Sequence, residues 1–260
     1  MSYALITGAA KGIGRAIAFE LASFNYNVML VDRDDEGLSA VAEELRTKYA
    51  IDVQCLHLDL SVPGMMEHLL KFTEPFHTSL TVVINNAGYG LNGPFENLTL
   101  EEQLNIIDVN IKALVTISHY FIPVLKSFPK AYLLNVASTT SYQPVPYLNI
   151  YASTKAFVLS FTRSLRYELR NSSVSVSCLS PGSTDTDFVK RARMGPSILK
   201  TAERFNMDPK VVAKIAIKGL FNGKAEIIPG FTNKLNAYLP KFFPKKFVER
   251  IAGNIYEPKN

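Results

Sequence analysis

The chain has 260 residues, of which 47% are hydrophobic, and its formal net charge is +5. This length and composition suit one α/β domain with a sizeable core, and no apolar run reaches the ~20 residues that a membrane-spanning helix needs. The two cysteines, Cys55 and Cys178, lack the spacing of a metal or redox site. We therefore predict a cytoplasmic protein with no metal site, in which both cysteines are small buried side chains in a reducing compartment.

Short apolar runs alternate with segments of helical periodicity along most of the chain. The first helical segment begins near Ile13, the second follows a cap at Asp34, a long helix runs from Thr99 to Lys126, and another begins at Ile150. Asp34 and Thr99 are residue types that cap helices well. The predicted strands are 4–7, 28–31, 53–58, 81–84, 131–136, 174–179 and 225–228.

The strands are apolar along their length, which is typical of a sheet that is covered on both faces. Their alternation with helices indicates right-handed parallel crossovers. We predict one domain over residues 1–260 with a Rossmann-like, doubly wound parallel α/β sheet of about seven strands in the order 3-2-1-4-5-6-7. Ligands of such sheets bind beyond the carboxyl ends of the strands.

A glycine-rich turn joins the first strand to the first helix. Glycines at this point allow a tight turn, close approach to a phosphate, and close packing of helix on strand. The helix N-terminus then directs amide donors and a positive dipole at a pyrophosphate. The GxxxGxG spacing differs from the commoner GxGxxG, but its position predicts a dinucleotide site. The expected contacts are Thr7, Gly8, Lys11, Gly12, Ile13 and Gly14.

The residues after the second and third strands bear on which dinucleotide is bound. Asp32 ends the second strand, where a carboxylate accepts hydrogen bonds from the adenosine ribose and repels a 2′-phosphate. This favours NAD. Lys11 and Arg33 are basic groups that can hold a 2′-phosphate, so NADP stays open. Asp59, after the third strand, either accepts from the adenine amino group or caps a helix.

A tyrosine and a lysine share one face of a predicted helix. Tyr151 and Lys155 are four residues apart, and Ser138 ends the fifth strand. The pKa of a free tyrosine is ~10, which is too high for efficient proton transfer near neutrality. We expect Lys155 and an oxidised nicotinamide to lower the pKa of Tyr151, and Ser138 to orient the substrate oxygen. The three residues predict proton delivery to a carbonyl during hydride transfer.

Further motifs follow in order along the chain. They are Asp59-Leu60-Ser61, Asn85-Asn86-Ala87-Gly88, Asp108-Val109-Asn110, Tyr151-Ala152-Ser153-Thr154-Lys155 and Pro181-Gly182. With the glycine turn and Ser138, this series resembles the short-chain dehydrogenase/reductase family over nearly the whole chain, from Tyr3 to about Ile228.

The resemblance implies a catalytic set of Asn110, Ser138, Tyr151 and Lys155, in which Asn110 kinks the long helix and holds a water that relays protons to Lys155. It implies that Thr186 contacts the nicotinamide carboxamide. It also implies a homodimer or homotetramer built on the long helix and the Tyr151 helix. The further cofactor contacts that it implies are Leu60, Asn86, Ala87, Gly88, Tyr151, Lys155, Pro181, Gly182 and Thr184.

A substrate lid is expected over about 183–207. Its apolar residues predict an apolar or bulky alcohol or ketone, and so an NAD(P)-dependent oxidoreductase acting on CH–OH donors. The cations between 190 and 193 leave a 3-oxoacyl thioester reductase open, and a non-enzymatic dinucleotide sensor is a third possibility. The residues expected at this pocket are Phe188, Met194, Ile198, Leu199, Tyr142 and Tyr147.

The last thirty residues, 231–260, form a basic aromatic extension. Six Lys and Arg against two Glu give this extension +4, most of the whole chain's +5, so the positive charge does not require a nucleic-acid partner. Four roles stay open for the extension: packing on the parent domain, closing over the active site, lying in a subunit interface, or contacting a membrane surface.

Overall fold

A parallel sheet of seven strands, in the order β3-β2-β1-β4-β5-β6-β7, organises the computed structural model, which describes residues 1–184, 188–195 and 206–258. All neighbouring strands pair in parallel. The fold class and the strand order are therefore confirmed. The strands are β1 Tyr3–Thr7, β2 Asn27–Asp32, β3 Val53–His57, β4 Leu80–Asn85, β5 Ala131–Val136, β6 Val174–Leu179 and β7 Glu226–Ile227.

Helices cover both faces of this sheet. One core includes Ile17, Leu38 and Ile217, and the other includes Leu69 and Phe121. The first core belongs to α1, α2 and α8, and the second to α3 and α5. The described helices are α1 Gly12–Ser23, α2 Asp35–Lys48, α3 Met65–Thr73, α4 Leu100–Ile107, α5 Leu114–Lys126, α6 Asn149–Glu168, α7 Phe188–Arg191, α8 Pro209–Phe221, α9 Phe231–Tyr238 and α10 Lys245–Tyr256.

The long helix expected from Thr99 to Lys126 is two helices joined by a π-helical turn over Asp108–Ala113. Its start is as predicted, because the Thr99 hydroxyl accepts from the Glu102 amide at 3.2 Å and Glu102 bonds back to the Thr99 amide. The predicted cap at Asp34 is also confirmed, since its carboxylate accepts from the Gly37 amide. The π turn places Asn110 toward the carboxyl ends of the strands.

The prediction of two buried cysteines is half wrong. Cys178 is fully buried in β6, but Cys55 is exposed. The reason is topological: β3 lies at the edge of the sheet, so alternate residues of this strand face solvent.

No helix among the described residues combines the length and the apolar character that crossing a bilayer requires.

Candidate active site

A cleft of about 440 Å³ opens at the carboxyl ends of the strands, beside the switch point between β1 and β4. It brings the predicted dinucleotide residues together with Ser138, Tyr151 and Lys155. Thr186 falls outside the described residues. The predicted site residues that line the cleft are Gly8, Lys11, Gly12, Ile13, Asp32, Arg33, Asp59, Leu60, Asn86, Ala87, Gly88, Ser138, Tyr151, Lys155, Pro181, Gly182 and Thr184.

Three predicted residues, Thr7, Gly14 and Asn110, are buried behind the cleft wall. The Thr7 hydroxyl accepts hydrogen bonds from the amides of Asn86 and Ala87, each at 3.1 Å. Thr7 therefore holds the loop after β4 against the glycine turn. The predicted contacts of Thr7 and Gly14 with a dinucleotide stay predictions.

The glycine turn depends on backbone positions that a side chain would disturb. Gly8 and Gly12 have φ of +67° and +57°, in the left-handed region that favours glycine. A Cβ on Gly14 would lie 2.1 Å from the Gly8 carbonyl oxygen. The side-chain amide of Asn86 completes the turn by donating to the carbonyls of Thr7 and Gly8, each at 2.9 Å.

This turn fits the pyrophosphate of a dinucleotide. Gly12 and Ile13, the first residues of α1, line the cleft. No side chain caps the N-terminus of α1, and its first turn holds no acidic residue. The positive end of the helix dipole therefore faces the cleft without a carboxylate of its own to neutralise it.

The Asp32 carboxylate is fixed by the backbone around it. Its two oxygens accept from the amides of Ala10, at 3.0 Å, and Asp34, at 3.1 Å. A carboxylate has about four acceptor positions, so two remain for other donors. Asp32 is thus a preorganised acceptor at the adenosine end of the cleft.

The two cations at this end each face a carboxylate. The Lys11 ammonium lies 2.7 Å from Asp34, and the Arg33 guanidinium lies 3.8 Å from Asp59 and 5.8 Å from the centroid of the Tyr89 ring. The hydrogen bond from Lys11 lowers the pKa of Asp34 below its ordinary value. Both cations are therefore already balanced by negative charge.

Asp59 follows β3 and belongs to the loop that leads to α3. Its carboxylate accepts from the amide and the hydroxyl of Ser61, at 2.8 and 2.7 Å. Partial burial raises the pKa of Asp59, but these hydrogen bonds and Arg33 outweigh burial and bring the pKa below its ordinary value. The alternative of a helix cap is wrong, since α3 begins after Gly64.

Tyr151 and Lys155 both project into the cleft from α6, as their spacing predicts. Tyr151 is 8% exposed and Lys155 is 4% exposed. The Lys155 ammonium donates to the Val136 carbonyl at 2.8 Å and lies 5.7 Å from the centre of the Tyr151 ring. The backbone passes close by at Gly90, where a Cβ would lie 2.7 Å from the Tyr151 ring.

The pKa of Tyr151 shifts in the direction opposite to the one expected from its lysine neighbour. Burial raises this pKa, while a hydrogen bond with Ser138 lowers it and the nearby Tyr256 raises it. Removal from water outweighs the hydrogen bond, and Lys155 is turned toward the Val136 carbonyl, whereas the lowering of this pKa expected from an oxidised nicotinamide stays a prediction. Burial also lowers the pKa of Lys155 to about 8.

The lowered pKa of Lys155 makes a prediction about stability. Between pH 8 and 10.5 Lys155 of the unfolded chain keeps a proton that the folded protein has lost, so Lys155 alone contributes a rise of about 3 kcal/mol in the free energy of unfolding over this range. Lys155→Met lacks this gain. Urea unfolding of both proteins across this range measures it, and parallel pH profiles would refute it.

Asn110 connects two parts of the site through its side chain. Its oxygen accepts from the Tyr89 amide at 3.0 Å, and its amide donates to the Tyr89 carbonyl at 3.0 Å and the Thr154 hydroxyl at 2.9 Å. Thr154 in turn bonds to the Tyr151 carbonyl. Asn110 therefore ties the loop after β4 to the helix that carries Tyr151 and Lys155.

An apolar wall faces Tyr151 at the other end of the cleft. The Phe188 ring lies 5.1 Å from the Tyr151 ring, and Leu148, Met194 and Tyr256 belong to the same cluster. Ile198 and Leu199, also expected here, fall outside the described residues. The sequence did not indicate Tyr256 as a lining residue, although closing over the site was one of the roles left open for the extension.

The C-terminal extension contributes four residues to the cleft. They are Asn233, Asn236, Ile255 and Tyr256. The Asn92 amide fastens the extension by donating to the Tyr256 carbonyl at 2.9 Å. Of the roles left open above, the extension therefore takes at least that of covering the cleft.

Two tyrosines expected at the pocket lie outside it. The Tyr142 hydroxyl donates to Glu226 at 2.6 Å, and the Tyr147 hydroxyl donates to Glu257 at 3.0 Å. Neither residue lines the cleft. The expectation was wrong because these side chains instead hold β7 and the end of the chain.

The cations between 190 and 193 are divided between the cleft and the surface. Arg191 lines the cleft, and its charge contributes to the lowered pKa of Asp34, so it lies toward the dinucleotide end. Arg193 pairs with Glu102. The Lys190 side chain is outside the described part. Neither described cation sits at the apolar wall, where an anionic substrate carrier would need one.

Comparisons with known proteins show similarity to oxidoreductases. The family model for the short chain dehydrogenase matches residues 2–196. An oxidoreductase of Staphylococcus epidermidis is 30% identical over 74% of this chain and 82% of its own. The 17-beta-hydroxysteroid dehydrogenase type 3 of Mus musculus is 31% identical over 78% of this chain and 66% of its own. The solved structure of a short-chain dehydrogenase from Sphingobium yanoikuyae in complex with NADPH is 25% identical, with a TM-score of 0.82, and the match covers 100% of this chain and 97% of that one.

Proposed function

This chain belongs to the short chain dehydrogenase family, and from that premise we propose that it interconverts a bulky, apolar secondary alcohol and its ketone. Family membership confirms the prediction of an oxidoreductase that acts on CH–OH donors with a nicotinamide dinucleotide. One observation carries the proposal. The Tyr151 ring is buried against the apolar wall at Phe188, and Ser138 and Lys155 line the same cleft.

The bound nicotinamide supplies or accepts the hydride. In the reducing direction Tyr151 donates its phenolic proton to the carbonyl oxygen, which becomes the alcohol hydroxyl, and the phenol must then regain a proton. Ser138 orients that oxygen. The Lys155 ammonium stabilises the phenolate that remains. The raised pKa of Tyr151 keeps the phenol protonated at neutral pH, as the reducing direction requires.

Asn110 has a positioning role in this proposal. Its side chain bonds to the Tyr89 backbone and to the hydroxyl of Thr154, the residue that precedes Lys155 on α6. These contacts fix α6 beside the loop after β4. We retain the proposed water between Asn110 and Lys155 as the path by which Tyr151 regains its proton. A Cβ on Gly88 would lie 2.9 Å from the side-chain oxygen of Asn110 and 3.0 Å from the Lys155 ammonium. The Asn110 and Lys155 side chains therefore border the same space beside Gly88, which supports the proposed water.

The apolar wall supports a bulky substrate. Leu148, Phe188, Met194 and Tyr256 present carbon surface next to the Tyr151 ring, and the mouse relative is named for a hydroxysteroid. The predicted lid over about 183–207 stays a proposal, because 185–187 and 196–205 lie outside the described residues. Its base is closed by a bridge between Thr184 and Met207. The test is turnover with a panel of ketones and secondary alcohols, measured as the change in nicotinamide absorbance. No turnover with any of the panel would leave the alternative of a dinucleotide sensor.

We propose NAD as the preferred dinucleotide, because Asp32 is a fixed acceptor and Lys11 and Arg33 face carboxylates. Asp32→Ser should raise the affinity for NADPH relative to NADH by roughly tenfold, since it removes a negative charge beside the 2′ position. Fluorescence titration with both nucleotides measures the ratio. Asp35→Ser, on the neighbouring helix, is the matched control, and an unchanged ratio in Asp32→Ser would remove this residue from cofactor selection.

We further propose a homodimer or homotetramer in the cytoplasm. Phe157 on α6 is 41% exposed and stacks on Phe161, with 5.9 Å between ring centroids. Tyr120 on α5 is 47% exposed. These apolar side chains on the two helices support an interface between copies of the chain. Both cysteines are unpaired in this structure, which is compatible with a reducing compartment.

A further inference from the structure

For its length, the C-terminal extension exposes many more large apolar side chains than the rest of the described molecule. Among the described residues, nine of the nineteen exposed large hydrophobic side chains lie between 231 and 258. Phe231 and Phe242 are each 82% exposed. Large exposed apolar patches on soluble proteins mark binding surfaces. We call the outward side of 231–258 the tail surface.

Helix α10 shows that this exposure is organised. Val248 and Ala252 are buried against the protein, while Phe247, Ile251 and Ile255 recur every fourth residue and are about half exposed. A surface helix usually pairs one apolar face with a polar one. This helix has an apolar face toward the protein and a second apolar row toward solvent.

The tail surface is also positively charged. Five Lys and Arg against two Glu give 231–258 a charge of +3, whereas the other 232 residues together carry +2. None of these five cations forms an ion pair among the described residues. Lys245 and Lys246 occupy the first turn of α10, where positive charge is unfavourable beside the helix dipole.

We propose that the tail surface binds the headgroup region of an anionic lipid membrane, with Phe231, Phe242 and Phe247 in the outer acyl layer and the lysines on the phosphates. Interleaved aromatic and basic side chains are the composition of interfacial helices. The cytoplasmic leaflet carries the negative surface potential that such a surface needs.

The charge of the surface favours lipid over a second copy of this chain. In an isologous dimer the same patch meets itself, so the net +3 of each tail would face the other and repel it. An anionic membrane supplies the opposite charge.

The tail surface adjoins the cleft. Ile255 lines the cleft and is also 47% exposed, and Tyr256 follows it on the inner side. An apolar substrate dissolved in a membrane would therefore lie next to the cleft. That connection rests on the proposed function, whereas membrane binding itself does not.

Sedimentation with sucrose-loaded vesicles tests the proposal without dinucleotide or substrate. Wild type should sediment with vesicles of phosphatidylcholine mixed with phosphatidylglycerol, far less with phosphatidylcholine alone, and less as salt rises. Lys241→Gln/Lys245→Gln/Lys246→Gln should lower partitioning by roughly fivefold for each lysine removed. Phe231→Ser/Phe242→Ser should lower it about tenfold or more.

The matched control is Lys71→Gln/Lys126→Gln/Lys218→Gln, three exposed lysines on other helices, which should sediment as wild type does. Circular dichroism and turnover with a ketone check that all variants are folded. Wild type that stays in the supernatant with anionic vesicles at low salt overturns the proposal. So does a tail variant that sediments normally. A tail variant that instead loses its oligomeric state in sedimentation velocity assigns the surface to a second copy.

Discussion

Tyr151→Phe is expected to lower kcat by at least about 10²–10⁴-fold, the range for loss of a general acid or base, while dinucleotide affinity stays within about twofold of wild type. The substitution removes only the hydroxyl. The ring keeps its contact with Phe188 and its close approach to Gly90, so the cleft keeps its shape. Stopped-flow turnover and fluorescence titration with NADH measure the two quantities.

The matched control is Tyr167→Phe, because Tyr167 lies on the same helix but is 68% exposed. It should retain full turnover. A Tyr151→Phe protein with wild-type kcat would remove this hydroxyl from the mechanism. Loss of dinucleotide binding in the same variant would instead indicate that Tyr151 shapes the cofactor site.

Gly14→Ala should be the most damaging substitution of a single methyl group. The new Cβ would lie 2.1 Å from the Gly8 carbonyl oxygen and 2.4 Å from the Asn86 amide nitrogen. The oxygen belongs to the backbone and cannot move without opening the glycine turn. We expect a loss of about 3 kcal/mol or more of stability, together with loss of measurable dinucleotide affinity.

Thermal melting and nucleotide titration check this second expectation. The control is Gly195→Ala, since a Cβ at Gly195 has no atom of the described residues within 4 Å. It should melt and bind as wild type does. If Gly14→Ala retained both the wild-type Tm and nucleotide affinity, the close packing of α1 on the glycine turn would not be required.

Local patterns were enough to predict much of the fold. The bounds of β5 and β6, and the caps at Asp34 and Thr99, were predicted correctly because each depends on a few neighbouring residues. The π-helical turn at Asp108–Ala113 was not, since its sequence reads as ordinary helix and only the family resemblance implied a kink at Asn110. Contacts of Asn110 with Tyr89 and Thr154, distant in the chain, accompany the turn.

The candidate site was predicted better than its surroundings. Ser138 follows the end of β5, and the four-residue spacing of Tyr151 and Lys155 places both on one face of α6. All three line one cleft, because parallel strands end at one edge of the sheet. The rise of the Tyr151 pKa by burial was missed, since it depends on how α6 packs against the rest of the protein. The place of Tyr256 was also missed, because the extension has to fold back across the sheet before this residue reaches the cleft.

The most direct test of the account is a crystal structure of the chain with a nicotinamide dinucleotide and a bulky ketone. We predict that the carbonyl oxygen lies about 3 Å from the Tyr151 hydroxyl, with the carbonyl carbon facing the nicotinamide ring and the rest of the ketone against Phe188 and Tyr256. A nicotinamide ring bound away from Tyr151, with the ketone unable to reach both, would contradict the proposed reaction.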